Sequence, residues 1–115
     1  MIQCPQDENT KEAKMYGLHG KMIAQPGQRD ALIRYLLEGS GSMDGNYLYV
    51  VSADPNDADG IWIYEVWESA QHHQDSLKLE QVQATIAKAR PLIAGFADRL
   101  EFTPVGGTGL PANQT

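Results

Sequence analysis

One short segment, residues 61–67 (IWIYEVW), limits what this chain can fold into. It contains neither Gly nor Pro and is rich in β-branched and aromatic residues, which indicates a β-strand. Successive side chains of a strand point to opposite faces of its sheet. Here the odd-numbered and the even-numbered side chains are all apolar or aromatic apart from Glu65. Both faces of the predicted sheet must therefore be covered.

Strands alternate with helices along the rest of the chain. Alternating apolar residues, or a high content of Tyr and Val, predict further strands at residues 16–23, 46–53 and 96–105. Apolar stripes at helical spacing predict helices at residues 28–38, 70–78 and 80–90. Ser69 is a suitable N-cap for the second helix, and Pro91 should end or kink the third. The order β-α-β-β-α-α-β predicts an α+β fold, a ferredoxin-like split βαβ with an antiparallel four-stranded sheet.

Helices can cover only one face of such a sheet. A second copy of the chain is the simplest cover for the other, so we expect a homodimer formed through the face of Trp62, Tyr64 and Val66. A chain of 115 residues buries a limited core, and pairing would add to its stability. We expect a flexible N-terminal extension at residues 1–14, one domain at residues 15–105 and a C-terminal tail at residues 106–115.

Charge and motifs narrow the classes of function. The net charge of −6 argues against binding nucleic acid or an anionic membrane surface, because both need clustered Lys and Arg. No apolar run approaches the roughly 18 residues of a membrane span, the N-terminus is polar, and the lone Cys4 cannot form an internal disulfide. We therefore expect a cytoplasmic location. The sequence has no recognisable metal motif, phosphate-binding loop or nucleophile elbow, so we expect no cofactor.

Several short motifs follow one another in a recognisable order: Gly45-x-x-x-Tyr49, Asp54-Pro55, Tyr64-Glu65-x-Trp67-Glu68-Ser69 and His72, with Pro26-Gly27-Gln28 after the first strand. This pattern, over residues 15–105, resembles the antibiotic biosynthesis monooxygenase (quinol monooxygenase) family. The resemblance implies a homodimeric α/β barrel. In some members it also implies oxidation of quinols or polycyclic phenols by molecular oxygen without flavin, haem or metal. Other members have isomerase-like or haem-degrading roles.

Three candidate site residues share one face of the 61–67 strand. The resemblance places Trp67 at a pocket wall, where its indole N–H could bind a substrate oxygen and its ring could stack on an aromatic substrate; the alternative is a core tryptophan. Glu65 lies among apolar neighbours, where loss of hydration disfavours a charged carboxylate, so it is a candidate general base. The alternative is a structural role for Glu65, in which hydrogen bonds from an Arg side chain or from backbone N–H groups satisfy its charge. Ile63 would line the same face as a substrate contact.

Two further candidates come from the family positions. His72 matches the family histidine, and Asp75 is near enough along a helix to orient its imidazole. The adjacent His73 would point about 100° away, and the alternative is that both histidines are solvated. Ser76 stands where close relatives often have a second His. Tyr49 matches a family position and could present its hydroxyl to a substrate, although strand tyrosines also serve in packing.

The resemblance leads to one expected function and two alternatives. The expected function is cofactor-independent oxidation of a quinol or other small aromatic substrate by molecular oxygen. The enzyme would deprotonate an electron-rich substrate, and the resulting anion would reduce oxygen. Glu65, Trp67 and His72 would be catalytic, and Tyr49 and Ile63 would contact the substrate. The alternatives are a non-catalytic dimer that binds a small molecule and an isomerase-like enzyme that transfers a proton in the same pocket.

Overall fold

A computed structural model describes residues 14–41 and 43–111. Its elements, in chain order, are β1 (Tyr16–Ala24), α1 (Arg29–Glu38), β2 (Asn46–Ala53), β3 (Gly60–Trp67), α2 (Ala70–Ser76), α3 (Glu80–Ala89), a short 3₁₀ turn (Arg90–Leu92) and β4 (Ile93–Phe102). The order matches the prediction and confirms the α+β class. The predicted N-terminal extension, apart from residue 14, and the last four residues of the predicted tail lie outside the described residues.

The four strands form one antiparallel sheet in the order β2-β3-β1-β4. β3 is therefore a central strand, as its two apolar faces require. The register pairs Leu18 with Glu65 and Tyr49 with Glu65, so these three side chains share one face of the sheet. We call this the helix face because α1 and α3 pack on it around a core of Leu32 and Ile61, both fully buried, with Ala24 and Ala89.

The opposite face of the sheet, the open face, carries aromatic and apolar side chains. On it, the ring of His19 lies 5.1 Å from that of Trp62 and 5.7 Å from that of Tyr64. Leu100 and Phe102 of β4 also point to this face and are 56% and 44% exposed. The open face of a single chain thus leaves an apolar surface in contact with water.

Two elements, β4 and α2, have ends that lie two or more residues from the predicted positions. β4 runs from residue 93 to 102, three residues earlier than predicted, because the backbone of Ile93 pairs with Ala24 at the start of the ladder. At the other end, Pro104 lacks the N–H that a ladder needs, and its ring packs against Gly17 instead. α2 ends at Ser76 rather than at residue 78. α3 ends at Ala89, one residue before the segment that contains Pro91, as expected.

None of the helices within residues 14–41 and 43–111 is long and apolar enough to cross a membrane.

Candidate active site

A cavity of about 230 Å³ lies between the helix face of the sheet and the three helices. Its polar wall is formed by β2, β3 and α2. Four residues of the predicted site line this cavity: Tyr49, Ile63, Glu65 and Trp67. The remaining wall is mainly apolar and comes from β1 and the helices, including Met22, Leu36, Val82 and Ile86.

Glu65 is the central polar group of the cavity. The indole Nε1 of Trp67 donates a hydrogen bond of 2.9 Å to Glu65 Oε1, and Nε2 of His73 lies 3.9 Å from the same oxygen. The side chains of Glu65 and His73 are only 15% and 13% exposed. Trp67 was expected to donate to a substrate oxygen, but its N–H is already directed at the carboxylate. The indole therefore fixes the position of Glu65, and the imidazole is the cavity's second candidate for accepting or donating a proton.

Aromatic contacts hold the His73 ring in place. Its centroid lies 5.4 Å from the ring of Tyr16 and 5.5 Å from the ring of Trp67, which it meets edge to face. The hydroxyl of Tyr16 donates to Glu101 Oε2 at 2.6 Å, which anchors that ring to β4. Below the imidazole, the buried Ser76 donates its hydroxyl hydrogen to the carbonyl oxygen of His73 at 2.6 Å. The side chain and the backbone of His73 are thus both positioned by direct contacts.

Tyr49 stands directly opposite Glu65 in the pairing of β2 with β3. Burial, and then the nearby carboxylate of Glu65, raise the pKa of the Tyr49 hydroxyl well above its ordinary value of 10.0. The phenol consequently keeps its proton at neutral pH and can act as a hydrogen-bond donor inside the cavity.

His72 lies outside the cavity. Its Nδ1 is 2.7 Å from Ser69 Oγ, and its backbone N–H donates to the same oxygen at 3.1 Å. The ring packs against Gly45, whose φ of +79° is a left-handed conformation, and Nε2 lies 3.7 Å from Glu68. His73, and not His72, therefore lines the cavity.

Asp75, the residue predicted to orient the imidazole of His72, does not do so. Its Oδ1 accepts a hydrogen bond of 2.9 Å from Gln71 and lies 3.8 Å from the Nζ of Lys78, on the exposed side of α2. His19, the third histidine of the sequence, is on the open face with Trp62 and Tyr64 and not in the cavity.

The sequence contains a pattern that indicates His73, rather than His72, as the histidine that faces the cavity. Ser69 is the N-cap of α2, which makes His72 the third residue of the helix. A polar side chain at that position commonly folds back to the cap, as in the capping box. The Ser69-x-x-His72 spacing thus favours a capping contact for His72, and the next residue, about 100° further round the helix, faces the sheet.

No group of three or more His, Cys, Asp or Glu side chains converges as a metal site would require in the segments that the structure describes.

The fold and the cavity define a class: small α+β proteins that enclose a largely apolar cavity with a few polar groups between a four-stranded antiparallel sheet and its helices. A family model described as "Antibiotic biosynthesis monooxygenase" matches residues 15–88. The chain belongs to this family, whose members are typically dimers.

Solved structures agree with this assignment. A protein from Chloroflexus aurantiacus J-10-fl, whose name places it among the antibiotic biosynthesis monooxygenases, is 57% identical, with 84% of this chain and 99% of that chain covered and a TM-score of 0.82. PA3566 from Pseudomonas aeruginosa is 16% identical over 83% of this chain and 98% of its own, with a TM-score of 0.71, and shows the likeness of fold alone. No curated protein matches the chain.

Proposed function

We propose that the chain is a cofactor-independent monooxygenase that oxidises a quinol or related electron-rich aromatic compound with molecular oxygen. The observation that carries this proposal is a carboxylate and an imidazole, Glu65 and His73, 3.9 Å apart and largely shielded from water in a cavity with an aromatic wall. Such a pair can remove and return protons where water is scarce.

The reaction divides into proton transfer and oxygen transfer. Glu65, assisted by His73, accepts a proton from a substrate hydroxyl, which leaves an electron-rich anion. The anion reduces molecular oxygen, one oxygen atom forms a bond to a ring carbon, and the other leaves as water. A hydroquinone and one molecule of oxygen thus give one hydroxyquinone and one molecule of water. The substrate supplies all the electrons, so the balance requires no further reductant.

The remaining residues of the cavity bind and orient. Tyr49 presents a phenol that keeps its proton, and this donor stabilises negative charge that develops on a substrate oxygen. Trp67 holds Glu65 through its N–H, and its ring and the side chain of Ile63 offer a flat apolar surface to the substrate. In this proposal His72 positions the start of α2 and does not touch the substrate.

Oxygen uptake tests the proposal. The purified chain is given a panel of benzoquinols and naphthoquinols, without added flavin or metal, and uptake is followed with an electrode. Glu65→Gln keeps the shape of the side chain but removes the base, so it should lower turnover by about 10²- to 10⁴-fold. Glu68→Gln is the matched control, because Glu68 is half exposed and does not line the cavity. It should retain the parent rate.

The same assay also distinguishes the two alternative functions, a non-catalytic binding protein and an isomerase-like enzyme. Tight binding of these compounds without their consumption would favour a binding protein. Consumption of substrate without oxygen uptake would favour isomerase-like proton transfer. Equal rates in the parent and in Glu65→Gln would remove Glu65 from the mechanism.

We also propose that the functional unit is a homodimer joined through the open face. The exposed side chains of Leu100 and Phe102 and the His19–Trp62–Tyr64 cluster support this, because pairing would withdraw a contiguous apolar surface from water. Leu100→Asp, which places a charge on this face, should shift the chain to a monomer in sedimentation velocity. A parent protein that sediments as a monomer at micromolar concentration would refute the proposal.

A further inference from the structure

A second, larger cavity adjoins the candidate active site. It has a volume of about 550 Å³ and lies between α3, the 3₁₀ turn and the strands β1 and β4. Apolar side chains make up most of its lining: Met22, Leu36, Ile86, Ala89, Ile93 and Phe96. We call this cavity the apolar gallery.

The apolar gallery and the active-site cavity are immediate neighbours. They share four lining residues: Met22, Leu36, Thr85 and Ile86. The groups suited to proton transfer and hydrogen bonding, Glu65, His73 and Tyr49, line the active-site cavity and not the gallery. The combined space therefore has a polar end and an apolar end. A ligand that fills it must be polar at one end and apolar over the rest of its length.

From this division we infer that the substrate carries an apolar chain of several carbons on its aromatic ring, with the chain lying in the gallery. Only the identity of the ring as a quinol or phenol rests on the proposed function. Each methylene that leaves water for the gallery should strengthen binding by roughly two- to fourfold, the upper value being that of complete burial. Phe96, which is 71% exposed, and the exposed Ala94 lie on β4 where the gallery meets solvent.

A third groove, of about 180 Å³, is a less suitable place for such a chain. It shares Met22, Ile63 and Glu65 with the active-site cavity and Phe96 with the gallery, but it is also lined by the charged residues Lys21, Asp98 and Arg99. A methylene chain laid along these charged groups would compete with their hydration, whereas the gallery's lining, within the described residues, contains a single charged residue, Arg90.

Binding of a homologous series tests the inference without requiring turnover. The probes are para-alkylphenols from para-methylphenol to para-octylphenol, each kept below its aggregation concentration and titrated into the full chain by calorimetry. We expect one site per chain and a Kd that falls by roughly two- to fourfold for each added carbon. The fall should level off once the chain reaches Phe96.

Two variants at exposed positions locate the bound chain. Ala94→Asp puts a carboxylate at a lining position that belongs to the gallery and not to the third groove. It should abolish the gain from the longest members of the series while keeping the gain from the shortest. Val105→Asp is the matched control, because Val105 is 74% exposed and lines none of the three cavities. It should leave the whole series unchanged.

Two results would overturn the inference. A Kd that does not change with chain length would mean that the gallery is closed to ligands, for example by a second copy of the chain. An identical series in the parent and in Ala94→Asp would mean that the chain binds elsewhere. A lack of oxygen uptake with quinols would reject the proposed reaction but would leave the binding series intact, so the two failures can be told apart.

Discussion

Replacing Trp67 with Phe tests the link between the indole and the carboxylate at the centre of the site. Trp67 is 1% exposed, and its Nε1 donates to Glu65 Oε1 at 2.9 Å. Phe keeps an aromatic ring in the same place but removes this donor and leaves a small void. The substitution thus removes the contact that fixes the proposed base while it preserves most of the wall.

The magnitude follows from these two losses. A hydrogen bond to a charged group contributes about 1.5 to 3 kcal/mol, and a smaller side chain in a core leaves a cavity that costs about 1 kcal/mol more. We therefore expect the free energy of unfolding to fall by about 2 to 4 kcal/mol. If the donor's contribution is needed to place the base in the transition state, turnover should fall by roughly one to two orders of magnitude.

The chain offers a matched control in Trp62. Its Nε1 donates to Asp54 Oδ2, also at 2.9 Å, but on the open face. Trp62→Phe should therefore lower stability in urea unfolding, by less than Trp67→Phe because Trp62 is only partly buried. It should leave oxygen uptake per chain unchanged, provided that sedimentation shows the same assembly. An equal loss of turnover in both variants, or no loss in Trp67→Phe, would refute the role assigned to Trp67.

Three further predictions concern other positions. His73→Ala should lower turnover by about 10²- to 10⁴-fold, whereas His72→Ala should mainly lower the free energy of unfolding; equal losses of oxygen uptake would contradict this order. Gly45→Ala should destabilise the fold by about 1 to 3 kcal/mol in urea unfolding, because its φ is +79° and a Cβ would meet the His72 ring; an unchanged midpoint would argue against that packing. Hydrogen bonds from the backbone of Asn56 and from Trp62, then Lys21, lower the pKa of Asp54 to about 2. The ionised group therefore stabilises the fold above the ordinary pKa of 3.8, and this contribution is lost as the pH falls towards 2. Asp54→Asn should flatten the pH dependence of unfolding in that window, and parallel curves for the two proteins would contradict the assignment.

Much of the fold could be predicted because its central strand has an unusual composition. The apolar residues on both sides of β3 require cover on both faces, and the structure places β3 in the interior of the sheet between β2 and β1. The ends of β4 could not be predicted in the same way. They depend on backbone pairing between Ile93 and Ala24 and on register shifts in the β1–β4 ladder, and side-chain alternation does not encode either.

The same distinction holds for the site. Ile63, Glu65 and Trp67 share a face because a strand has a period of two, and this conclusion needs only the position of the strand. The choice between His72 and His73 needs the rotational phase of α2, which depends on how the helix is capped. Because Ser69 engages His72, the next residue faces the cavity.

A comparison of two carboxylates explains why Glu65 is the one suited to proton transfer. Asp54 and Glu65 each accept an indole N–H at 2.9 Å. Asp54 also lies 3.1 Å from the ammonium of Lys21, a partner that stays charged at neutral pH and keeps Asp54 ionised. The basic side chain found near Glu65 is instead the imidazole of His73, whose two ring nitrogens can donate and accept hydrogen bonds. The open face thus holds its carboxylate in one protonation state, whereas the helix face places its carboxylate beside a group that can receive the proton and return it.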